Sequence, residues 1–291
     1  METFTLSRRE LQRPGLLKTP GQRQRRAGIA LASRFPMRMW ARLVVVLVGL
    51  ASTAYAEPVA VRFPESATRG FLVVTDETGG TLGHGELIQT VKGDRIESQL
   101  VLRFADGSLS DEVVTFSQRR VFRLLTYRLV QRGPAFPEPS DVSFDRARGR
   151  YRARVGDKTA EGSLDLPEDV HNGMTVVLLK NLPEGAGASG HLVALTPKPQ
   201  LVQTTFRRDG DDRVVAGGLT RTAARYLVTL DIPGLKGVLA TLVGKDPPDL
   251  RYWVLGGSAP TFLKFEGPLF FKGPRWTVAL AAPRWPAGAS R

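Results

Sequence analysis

From Gly70 onward, short apolar stretches alternate with Gly/Asp clusters, and this rhythm restricts the fold more than any other feature of the sequence. "GFLVVT", "LGHGELIQTV", "RIESQLVLRF" and "DEVVTFSQ" follow one another across "DETGG", "KGD" and "ADGS". Gly and Asp tolerate positive φ, so clusters of this kind close hairpins. In "RIESQLVLRF", Ile96, Leu100, Leu102 and Phe104 recur at even spacing, with Glu97, Gln99 and Arg103 between them. That is the period of a strand with one buried face. "DVSFD", "RYRARV" and "TAEGSLDL" continue the series. Beyond residue 190 come "HLVALT", "PQLVQTTFRR", "DRVVAGGLT", "ARYLVTLDI", "GVLATLVG", "LRYWVLGG", "APTFLKFEG" and "RWTVALAAP". "RRDGDDR" reads as the hairpin turn between two of these strands. The expected fold is mainly β, a large antiparallel curved sheet that must become a half-barrel, barrel or sandwich to hide its apolar face.

One stretch breaks the rhythm. "LDLPEDVHNGMTVVLLKNLP" carries Asp165, Pro167 and Glu168 ahead of Val170, Met174, Val177 and Leu178. An acidic cap, an early proline and spacings of three and four predict one helix near 166–181. The small-residue loop "PEGAGASG" (183–190) is the candidate internal boundary of a mature β-rich domain spanning 57–291.

The N-terminal region reads as processing rather than fold. Arg38 and Arg42 precede the uncharged apolar run Leu43–Leu50, and Ala54-Tyr55-Ala56 supplies a small-x-small cleavage site. Residues 37–56 are therefore expected to be a signal peptide cut after Ala56, which places the protein in the periplasm. The run is too short to cross a bilayer as a helix. Residues 1–36 have no apolar periodicity and read as a non-native or disordered extension, with the true start at Met37 or Met39. This redistributes the charge. The formal net charge is +13, but residues 1–56 hold 10 Lys/Arg against 2 Asp/Glu, so the remainder is only modestly basic. Global charge then gives no case for nucleic acid as a partner. The chain has no cysteine, which excludes disulfides, thiol catalysis, thiolate metal sites and an N-terminal lipid anchor.

Chemistry-bearing motifs are sparse. His84 in "GHGE", Glu86, Asp169 and His171 would suit a metal or acid–base site if they met, but no ligand spacing links them, and the favoured reading is turn and cap histidines. His191 opens a strand. No serine sits in a nucleophile elbow. Glu168-Asp169 and Asp211-Asp212 fall in expected caps and turns. No catalytic residue, metal or cofactor is therefore assigned. The aromatics are more informative, because "RYWV", "TFLKFEGPLFF" and "RWTVAL" crowd large side chains into the last third. Leu263 and Phe265 are expected on one face, Phe262 and Lys264 on the other, and "LFF" on both faces of a strand. A sheet apolar on both sides needs a covering layer, a partner or an apolar ligand.

In "FSQRRVFRLLTYRLVQRGPAFP" (116–137), a strand puts Val121, Leu125, Tyr127 and Leu129 on one face with Arg123. Phe122, Leu124 and Val130 then lie opposite, with Arg120, Arg128 and Arg132. Together with the signal peptide, the meander from Gly70 to Val130 and "LPEDVHNGMTVVLLKNL", this stretch resembles the LolA-like lipoprotein-carrier group of exported β-rich periplasmic proteins. The resemblance implies a curved half-barrel whose apolar concavity receives acyl chains. It implies a non-catalytic binding or carrier role for a lipid or other apolar molecule. An envelope assembly factor that binds protein partners is the alternative, and a hydrolase comes third. The residues expected to meet a ligand are Arg123, Tyr127, Trp253, Phe265 and Phe271.

Overall fold

The computed structural model describes residues 58–216, 219–231 and 249–281. The expected signal peptide, the N-terminal extension and the expected strand "GVLATLVG" lie outside these residues. Fourteen strands form one antiparallel sheet. In chain order they are β1 (Thr68–Thr75), β2 (Thr81–Lys92), β3 (Arg95–Phe104), β4 (Leu109–Gln118), β5 (Phe122–Arg132), β6 (Ser140–Asp145), β7 (Arg150–Val155) and β8 (Lys158–Ser163). After helix α1 (Thr175–Asn181) come β9 (Ala188–Ala194), β10 (Gln200–Ala216), β11 (Leu219–Asp231), β12 (Leu250–Leu255), β13 (Thr261–Gly267) and β14 (Trp276–Leu280). Each strand pairs with its sequence neighbours except that β8 and β9 do not pair with each other, and β14 pairs with β1. Two meanders are thereby joined at their outer ends. The sheet runs across both sides of the 183–190 loop, curves, and does not close: β8 and β9 are its edges.

Four bulges bend it among the described residues, and they explain where the period of two fails. In β5, Thr126 faces Thr115 and Leu124 faces Phe116, so Leu125 is an extra residue. The insertion turns Phe122, Leu124, Tyr127 and Leu129 all inward, into one core cluster, where strict alternation would split them between faces. In β13, Lys264 faces Trp253 and Phe262 faces Val254, leaving Leu263 as the extra residue. Phe262 and Phe265 therefore pack inward together while Leu263 joins an outer cluster with Trp253, the reverse of simple alternation. Leu82 in β2 and Asp209 in β10 are the other two. A bulge adds local twist, which a sheet of this size needs if it is to wrap its own apolar face. Gly83 and Gly85, the glycines around His84, serve the same end: a Cβ at either would run into Arg103 or Leu102 of β3.

The "RRDGDDR" stretch is not a hairpin. It lies inside β10, a strand of 17 residues, because its acids are neutralised sideways. Arg225 on β11 binds Asp209 and Asp212, Arg208 binds Asp211, and Gly210 takes φ +138° at the bulge. "LFF" is not a strand either: Leu269 and Phe270 pack into the core from a loop, and Phe271 is exposed.

The helix is shorter than its sequence predicts, spanning only Thr175–Asn181. Its expected first turns are used elsewhere. The Asp169 carbonyl and the His171 N–H bond His191 on β9, and Glu168 pairs with Arg123 at 2.6 Å. Gly173 at φ +70° then ends any helical continuation backwards. A helix this short holds through packing rather than propensity, and Val177, Leu178 and Leu179 are buried against the concave face. Gly173→Ala is expected to destabilise the fold by about 1–2 kcal/mol, since an L residue resists the left-handed region and the added methyl would sit 3.1 Å from Val114. Thermal or urea unfolding measures it, and an unchanged midpoint would contradict this account.

Candidate functional site

The concave face is not filled. Between the sheet, α1 and the segment Arg62–Ser66 lies a cavity of about 1120 Å³. Each wall follows from local sequence. Leu87, Leu100 and Val114 come from inward positions of β2, β3 and β4, and Phe265 and Val278 from β13 and β14. Helix α1 contributes Thr175, Val176 and Val177 as a lid.

The segment that crosses one end is pinned by side-chain amides. Asn181, fully buried, accepts from the N–H groups of Arg62 and Phe63 at 2.8 and 2.7 Å, and donates to the Val177 carbonyl. Gln118 accepts from the Glu65 N–H and donates to its carbonyl, while Gln89 donates to the Glu65 carboxylate and the Ser66 carbonyl. Glu65 also pairs with Lys180 of α1 at 2.5 Å. Three amide side chains thus hold an irregular segment of the cavity wall in place, satisfying backbone groups that no ladder reaches.

One acid faces the interior. Glu112 lies on β4 at even spacing with Val114 and Phe116, so it points into the apolar face. It accepts a hydrogen bond of 2.8 Å from the Tyr127 hydroxyl. The residue is enclosed by protein yet keeps some accessible surface, because that surface is cavity wall. Burial raises its pKa, partly offset by the Tyr127 hydrogen bond. Burial, followed by the neighbouring Glu112 charge, pushes Tyr127 well above the usual phenol range and also raises Tyr252, which bonds Thr175 of α1. Both tyrosines therefore stay as neutral donors.

The residues expected to meet a ligand divide. Tyr127 and Phe265 line the cavity. Trp253 sits on the outer face, donating to Asp212 at 2.6 Å with the Lys264 ammonium 3.9 Å from its ring centre. Arg123 projects outward to Glu168, and Phe271 is 65% exposed in its loop. His84, Glu86, Asp169 and His171 do not assemble. His84 is exposed opposite Arg103, Glu86 pairs with Arg69, and Asp169 pairs with His191 at 2.8 Å. His171 is fully buried between the hydroxyls of Thr175 and Thr204, edge-on to Phe206, and its pKa is lowered by burial to about 3. Among the described residues no group of three or more His, Asp or Glu is placed to hold a metal ion, and no helix is long and apolar enough to cross a membrane.

Glu112 and Tyr252 are the functional candidates that motif reading passes over. The signal was available for both. An acid in phase with Val114 and Phe116, and a tyrosine in phase with Val254, mark polar atoms turned toward the core side of the sheet. Fold and site together define a β protein built around a cavity whose wall mixes apolar and polar side chains and carries a buried acid. Comparison with protein-family models, with curated proteins and with solved structures finds no match to this chain.

Proposed function

We propose that this chain is an exported binding or carrier protein of the bacterial periplasm that holds a lipid or other apolar molecule inside the curved sheet. The observation that carries the reading is the cavity. At about 1120 Å³ it is slightly larger than the roughly 300–1,000 Å³ typical of small-molecule pockets, and its walls combine apolar side chains with polar groups. A core left this open forfeits packing contacts that a purely structural protein would keep. Residues 37–56, with the features of a cleavable signal, support the periplasmic location.

The test is to purify the protein from cells expressing the full chain and examine it by native mass spectrometry and solvent extraction. A bound apolar molecule is expected, together with saturable binding of the uncharged dye N-phenyl-1-naphthylamine. Leu87→Trp places an indole in the empty volume and is expected to weaken dye binding at least about tenfold, or 1.4 kcal/mol, with the unfolding midpoint little changed. A clean apo mass and no saturable dye binding would sink the reading.

A further inference from the structure

Resting on that reading, we infer that the cavity selects a ligand carrying a positively charged nitrogen, an ammonium on an apolar body, and that Glu112 is the residue that recognises it. The first ground is the pairing of charges. Five charged residues line the cavity: Arg62, Glu65, Arg69, Glu112 and Lys180. Four are engaged. Lys180 holds Glu65, Arg69 holds Glu86, and Arg62 bonds the Leu182 carbonyl. Glu112 meets only the Tyr127 hydroxyl and makes no ion pair among the described residues. A carboxyl group kept in an apolar wall without a cation is costly to ionise, and a cationic guest supplies the missing partner.

The second ground is the surrounding chemistry. Tyr127 and Tyr252 flank the acid, and Tyr252 lies 4.9 Å, centre to centre, from the Phe265 ring. Tyr127 meets the acid through its hydroxyl, and aromatic rings in the same cavity wall add a cation–π attraction to the charge that an ammonium guest feels. They give nothing comparable to a carboxylate guest, which Glu112 would repel. The Tyr127 hydroxyl already donates to Glu112, so it helps keep the carboxylate oriented once ionised.

The experiment measures displacement of N-phenyl-1-naphthylamine by three amphiphiles of equal chain length, dodecyltrimethylammonium, dodecanol and dodecanoate, each below its micellar concentration. The ammonium is expected to displace the dye at roughly tenfold lower concentration than dodecanoate. In Glu112→Gln that preference should vanish while dodecanol displacement stays as in the wild type. The quaternary ammonium does not titrate, so its affinity should rise with pH as Glu112, held above the usual carboxylate range by burial, ionises, and should be flat in the Gln variant. The other charged groups facing the space, Glu65, Lys180, Arg62 and Arg69, are common to both proteins and cancel in that comparison. Equal displacement by ammonium and dodecanoate, or a preference that survives Glu112→Gln, overturns this inference and leaves the cavity reading standing. Failure of every amphiphile to displace the dye overturns both. The mass of the extracted ligand distinguishes an amine-headgroup phospholipid from a free alkylamine, and an extract of fatty acids alone counts against the inference.

Discussion

Lowering the pH from about 7 to about 4 is expected to reduce the free energy of unfolding by about 3 kcal/mol through His171 alone. Burial holds its pKa near 3, against an ordinary value of 6.5. Below 6.5 the unfolded chain takes up a proton that the folded state refuses until about 3. The stabilisation is therefore complete above the ordinary histidine pKa and drains away as pH falls through that interval. His171 bridges Thr175 of α1 and Thr204 of β10, so the loss falls where the helix meets the sheet. Urea unfolding at both pH values, for the wild type and for His171→Gln, isolates the effect. Carboxylates elsewhere contribute equally to both proteins, whereas only the wild type should carry the extra slope. Matching slopes would rule out the assignment.

The second large effect is expected at Asn181. Asn181→Ala removes the acceptor shared by two backbone N–H groups, those of Arg62 and Phe63, and the donor to Val177. Leaving a buried polar group unpaired costs about 1–3 kcal/mol, so a loss of about 3 kcal/mol is expected overall. The loss has a functional arm, because the freed segment lines the cavity. Amide hydrogen exchange at Arg62 and Phe63 should accelerate, and dye should leave the cavity faster than from the wild type. A variant as stable as the wild type to within about 0.5 kcal/mol, with unchanged exchange at those amides, would show that the latch is not what holds the segment.

Much of this architecture was legible from punctuation. "DETGG", "KGD" and "ADGS" do close the first three hairpins, and β3 follows its even-spaced pattern with Ile96 and Leu102 buried. What escaped was every place where one residue is added to a strand. Leu125 and Leu263 are ordinary leucines, and nothing about them announces that they stand out of the ladder; the bulge is a property of the register with β4 and β12, which sequence order does not encode. The "RRDGDDR" stretch misleads for a related reason, since Asp209 and Asp212 find Arg225 on the neighbouring strand. The helix start failed similarly: Asp169 and His171 are drawn to β9 by a contact between segments distant from the local pattern. At the site, Tyr127 and Phe265 could be picked for their size and setting. The acid Glu112 was legible only to a reader who asked why a strand with Val114 and Phe116 inward should also turn a carboxyl group that way.

The two edges of the sheet differ, and the difference bears on how copies of this chain can associate. Along β9 the outward-facing groups of His191 are taken by the main chain of Asp169–His171, and those of Val193 by the Asn172 side chain, whose amide donates at 2.9 Å and accepts at 2.8 Å as a peptide unit would. Among the described residues β8 pairs with β7 alone. A sheet with both margins bare can add strands without end, molecule after molecule, as fibres do. Where His191 and Val193 are capped in this way, β9 has no free main-chain groups to offer a second copy, whereas among the described residues β8 and the part of β10 beyond Phe206 have no strand laid against their outer side.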